Sequence, residues 1–61
     1  MSNILTELEE LRTHTPALDA PVFVVAAWYE AKAVCMEHLG KADEATVARA
    51  HAARLRGEAA A

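Results

Sequence analysis

Cysteine occurs once in the 61 residues, glycine and proline twice each, and aromatic side chains make up only 5% of the chain. A single cysteine, Cys35, excludes an intrachain disulfide, and a lone thiol fits a reducing cytoplasm better than a secreted framework. Two isolated glycines, Gly40 and Gly57, cannot form a glycine-rich phosphate loop. Neither a nucleophile elbow nor a metalloprotease motif is present, so no enzymatic activity and no cofactor are expected. Positive charge is also scarce. The formal net charge is −3 and the isoelectric point about 5.5, so non-specific attraction to nucleic acid or anionic lipid is not built into the whole chain.

Long uninterrupted apolar runs are missing as well. Val22 to Leu39 comes nearest, but Glu30, Lys32, Glu37 and His38 break it, and charges at mid-bilayer are costly, so no membrane association is expected. The first residues carry acids where a signal peptide carries positive charge, and no small-residue cleavage site follows. Export is not expected, and a cytoplasmic location is.

What the chain does have is apolar surface in a small frame. Domains this short bury too little of themselves to be stable without disulfides, a metal or oligomerisation. With the disulfide excluded, oligomerisation becomes the leading support.

Residues 1–61 read as one helical domain of three segments. Ile4, Leu5, Leu8 and Leu11 recur at helical spacing with Glu7, Glu9 and Glu10 turned away, predicting a helix over about 3–13. Ser2 or Asn3 can cap it, Thr6 with Glu9 offers a capping box for a later start, and Pro16 ends it. The second helix, over 21–39, starts with Asp19 as cap and Pro21 in its first turn. Val24, Trp28, Ala31, Cys35 and Leu39 form one apolar stripe, and Val22, Val25, Tyr29 and Met36 its neighbour. Phe23 and Val34 fall beside Glu30 and Glu37, so apolar surface remains even when the main face is covered. Gly40 suits the left-handed position that stops a helix. The third helix, over 43–57, shows an interior face of Ala45, Ala48, Ala52 and Leu55 flanked by Val47 and His51, with Gly57 as its stop and fraying beyond. The short connection favours an antiparallel hairpin.

Charge is unevenly placed: Glu7, Glu9, Glu10 and Asp19 oppose Arg12 alone near the start, whereas Arg49, Arg54 and Arg56 cluster near the end. The simplest use of this asymmetry sets an acidic first helix beside a basic last one, within or between chains. Lys32 is unusual in projecting from the apolar face. A buried lysine can become a base or nucleophile, but nothing nearby completes an acid/base pair, and packing its stem while the ammonium reaches water or rests on Trp28 accounts for it. Cys35 and His38 stand three residues apart and could face one metal with His14 or His51, yet structural zinc wants four ligands in paired short spacings, so no metal is expected.

The passage Leu39-Gly-Lys-Ala-Asp-Glu-Ala-Thr-Val-Ala-Arg49 resembles the turn and second helix of helix-turn-helix repressors. The resemblance implies that Thr46, Arg49 and Lys41 approach DNA, with Arg54 and Arg56 on phosphates. A capped helix after a glycine stop accounts for the same letters.

The sequence therefore predicts an all-α fold, a small antiparallel helical hairpin plus a short N-terminal helix, joined with a second copy into a dimeric bundle. Its expected role is non-enzymatic: a small regulatory protein that pairs with itself and engages another, unidentified protein. The expected interface comprises Phe23, Val24, Val25, Trp28, Tyr29, Lys32, Cys35, Met36 and Leu39, because aromatic residues and methionine are enriched at interfaces. The alternative is a dimeric helix-turn-helix-like DNA-binding regulator using Arg49, Arg54 and Arg56.

Overall fold

A computed structural model describes residues 4–60. Three helices follow in order: α1, Ile4–Thr13; α2, Val22–His38; and α3, Ala42–Ala60. The proposed caps Ser2 and Asn3 lie outside the described residues. The α1 helix ends where Pro16 requires it to, with His14 N–H donating to the Glu10 carbonyl and the Thr15 hydroxyl donating to that of Arg12 at 2.9 Å.

The entry to α2 differs from expectation. Pro21, at φ −56° and ψ 147°, is itself the N-cap and supplies no side-chain hydrogen bond. Asp19 instead lies in a turn that the Ala20 N–H closes onto the Ala17 carbonyl at 3.1 Å. Proline at this point leaves one fewer N–H unsatisfied, and its fixed φ leads into the helix without a cap.

The exit from α2 follows the sequence closely. Gly40 adopts φ 77°, its N–H donates to the Glu37 carbonyl, and the Lys41 N–H donates back to Met36 at 2.8 Å. These are the paired bonds of a Schellman ending, and only glycine takes that left-handed conformation without steric cost. The Ala45 N–H then donates to the Lys41 carbonyl, opening α3 at once. Asp43 and Glu44 in its first turn favour the positive helix end.

Gly57 does not stop α3, which continues through it to Ala60. A lone helical glycine costs only about 1 kcal/mol relative to alanine, and the Glu58-Ala59-Ala60 that follows favours helix and offers no turn signal. Val47, expected at the edge of the interior face, is 68% exposed.

The hairpin of α2 and α3 has an alanine core. Ala26 and Ala33 from α2 and Ala45, Ala48 and Ala52 from α3 are buried, and Tyr29 and Met36 pack against the cluster of Ala33, Ala45 and Ala48. Small side chains let the two backbones approach closely. Two ion pairs border this seam, Arg49 with Glu37 and Arg56 with Glu30. The partners are seven residues apart on each helix and run in opposite directions, which fixes the antiparallel register.

The first helix touches α2 alone; among the described residues no contact joins α1 to α3. The within-chain form of the charge expectation is therefore overturned, because the α3 arginines reach the acids of α2 and not those of α1. The helices form an open row with α2 in the middle. Among the described residues, no large side chain is fully buried. The radius of gyration is 11.9 Å, against roughly 10.5 Å expected for a compact chain of this length.

Candidate functional site: the faces of the central helix

At 100° per residue, α2 presents four directions. Ala26 and Ala33 face α3. Trp28 and Cys35 face α1, and the remaining two directions form the open sides of the row.

The contact with α1 is built from a few specific bonds. The Trp28 indole N–H donates to the Leu11 carbonyl at 2.9 Å, satisfying an acceptor in the last turn of α1. His38 Nδ1 donates to the Glu7 carboxylate, at 2.8 Å to Oε2 and 3.1 Å to Oε1. Cys35 lies beneath α1 and is 3% exposed. Burial pushes its thiol above the usual range, and the negative charge of Glu7 adds to the effect. No residue of α1 is buried, and grooves open on both of its flanks.

One open side of α2 carries Val25, Lys32 and Met36. Lys32 Nζ stands 5.7 Å from the Trp28 ring centroid and 6.0 Å from that of Tyr29. Trp28 and Tyr29 meet edge to face at 5.1 Å, and His51 of α3 stacks on Tyr29 at 4.2 Å. This side is closed by an ammonium and a ring stack.

The other open side carries Phe23, Ala27, Ala31 and Val34, all exposed. Phe23 is 71% and Val34 44% accessible to water. Ala27, Ala31 and Val34 continue into a groove of about 520 Å³ against α1, which Leu11, Glu7 and Glu10 help to line. Along the opposite border stand Glu30 and Glu37, whose carboxyls are held below the ordinary carboxylate range by hydrogen bonds from Arg56 and Arg49. The same bonds raise the two guanidinium groups.

The residues expected at an interface are thus distributed over several surroundings. Tyr29 and Met36 pack against the alanine cluster with α3, and Cys35 is buried, so all three serve the chain's own interior. Trp28, Val25 and Lys32 are half-buried, while Phe23, Val24 and Leu39 are exposed. Val34 belongs with the exposed group; its position beside Phe23 on the helical wheel was the available signal. Among the basic residues, Arg49 and Arg56 are engaged by Glu37 and Glu30, and Arg54 stands on the outer side of α3 near Val47.

The histidines do not converge. His14 Nδ1 donates to the Glu10 carbonyl, His38 holds Glu7, and His51 stacks on Tyr29. Among the described residues, no group of three or more His, Cys, Asp or Glu is arranged to hold a metal ion, and no helix is long and apolar enough to cross a membrane.

Compared with known protein families, curated proteins and solved structures, the chain matches none.

Proposed function

We propose that this protein is a small, non-enzymatic, cytoplasmic regulatory module that works by helix-mediated association, pairing with a second copy and presenting the remaining helical surface to another protein. One observation carries the proposal: an open row of helices leaves large apolar side chains in water while, among the described residues, fully burying none of comparable size. Stable domains ordinarily close two packed layers around one core, and a row of three helices supplies only one. The exposed surface of 4543 Å² compares with roughly 3,900 Å² for a folded monomer of this mass, so roughly 650 Å² is left over.

A protein partner fits this surface better than a small substrate. The grooves beside α1 are open and mainly apolar, and the Cys35 thiol at the base of one of them is buried and has its pKa raised, which makes it a poor nucleophile. Light scattering of the full chain over a range of concentrations tests the proposal. Dimers at low micromolar concentration support it, and a helical, cooperatively melting monomer throughout that range overturns it.

A further inference from the structure

We propose that α1 is a proton-controlled latch on the hairpin: it opens as a unit, and a proton on His38 holds it closed through Glu7. Solvent access to the Trp28 and Cys35 side of α2 then grows as the pH rises from mildly acid to mildly alkaline. The device belongs to a single chain and stands apart from the association reading.

The fold lets α1 leave without disturbing its neighbours. It touches α2 alone, buries none of its residues completely, and presents Ile4, Leu8 and Leu11 only half-buried. The alanine seam and the Arg49–Glu37 and Arg56–Glu30 pairs join α2 to α3, so none of them breaks when α1 departs. Elements with so little burial open at a lower free energy than the whole molecule.

Two polar links close the latch, and a proton affects them differently. The Trp28 indole bond to the Leu11 carbonyl joins two groups that do not titrate. The His38 imidazole meets both Glu7 oxygens, at 2.8 and 3.1 Å, and forms an ion pair only while it carries a proton. A neutral ring can still donate from Nδ1, but in one of its two tautomers and without the charge that makes such bonds strong. Histidines change charge between about pH 5 and 8, where carboxylates are generally ionised. Closure and protonation therefore favour one another, and closure strengthens as the pH falls through that range.

The other charged groups nearby do not change partners when α1 opens. Glu10 and His14 line the same groove as Glu7, but His14 bonds the Glu10 carbonyl within α1 itself. Glu37 adjoins His38 on α2, and Arg49 of α3 holds its carboxylate. Lys41 and Glu44 pair with each other beyond the turn. Cys35, beneath Glu7, keeps its proton throughout the range. The His38 and Glu7 side chains are 53% and 25% exposed, so water tempers the pair and the response is graded.

Amide hydrogen exchange of the full chain tests the latch, with the intrinsic pH dependence of exchange divided out. The α1 amides should be less protected than those of α2 and α3. Their protection should rise roughly two- to fivefold from about pH 8 to about pH 5.5, the effect of one exposed ion pair, and less in high salt. His38→Gln keeps a donor for Glu7 but cannot titrate, and should abolish the rise; Glu7→Gln should do the same, and His14→Gln should leave it in place. Protection in α1 equal to that of the hairpin, or absent at every pH, overturns the proposal. So does a native profile that is flat over this range, or an undiminished rise in His38→Gln.

Discussion

Trp28 and Leu11, 17 residues apart, are joined by a hydrogen bond from the indole N–H to the main-chain carbonyl, and this bond together with the Glu7–His38 pair fastens α1 to the hairpin. Because α1 buries none of its own residues completely and Ile4, Leu8 and Leu11 are only half-buried, these polar links supplement a thin apolar contact. Trp28→Phe keeps a ring in place but removes the donor, and should cost about 0.5–1.5 kcal/mol. The loss should be local: amide hydrogen exchange should quicken in α1 while α2 and α3 keep their protection.

The two glycines should respond oppositely to alanine. Gly40 occupies φ 77°, where a Cβ meets the following carbonyl, so Gly40→Ala should destabilise the hairpin by about 1–2 kcal/mol. Gly57 is helical with open space around it, and Gly57→Ala should stabilise α3 by about 0.5–1 kcal/mol. Urea midpoints of the two variants measure both effects.

Acid should loosen the hairpin. Hydrogen bonds from Arg56 and Arg49 hold Glu30 and Glu37 below their ordinary value of 4.5. A carboxylate with a lowered folded-state pKa stabilises fully above its unfolded value, and that contribution disappears as the pH falls through the folded value. Stability should therefore hold near neutrality and decline below about pH 4.5. A Glu30→Gln, Glu37→Gln double variant should show a flatter dependence in that window, and added salt should shrink the difference between the two proteins because the pairs are exposed.

Cys35 should be slow to react. Its thiol is buried under α1 and its pKa is raised, first by burial and then by Glu7, so the thiolate is scarce at neutral pH. Glu7→Gln removes the charge and weakens the α1 tether, and alkylation at pH 8 should accelerate by both routes. The sign of the linkage is opposite to that of the carboxylates: the thiol's contribution is intact below about pH 9, its ordinary value, and fades as the pH rises through the elevated one.

Duplex DNA should not be retained with a steep salt dependence. Arg49 and Arg56 are occupied by acids of α2, and the ladder of ion pairs along the hairpin leaves Arg54 as the α3 arginine with no carboxylate partner among the described residues. Binding that weakens steeply with salt, and is abolished by alanine at Arg49, Arg54 and Arg56 together, would restore the helix-turn-helix alternative.

Three helices, the Gly40 stop and the antiparallel hairpin were legible because each has a local signal: apolar spacing, a left-handed glycine, a short connection. The alanine face of α3 was legible too. Its counterpart on α2 was not, because Trp28, Tyr29 and Met36 draw attention by bulk and Ala26 and Ala33 do not. A signal was present nonetheless. Glu30 and Glu37 match Arg49 and Arg56 at the same seven-residue interval, and pairing them antiparallel brings Ala26 and Ala33 onto the α3 seam. The stop expected at Gly57 failed because a glycine ends a helix only where the following residues turn, and Glu58-Ala59-Ala60 do not. On the open side of α2, Phe23 and Val34 could be seen to fall outside the main stripe, but which stripe α3 would cover depended on packing that periodicity alone does not rank.

The alanine seam also bears on the order of events in folding. Methyl groups have no rotamers to freeze, and helices adjacent in sequence close over a short connection, so joining α2 to α3 requires little sorting and no distant loop closure. Such a hairpin can zip together within one chain from its Gly40 turn outward, leaving α1 as the last helix to dock.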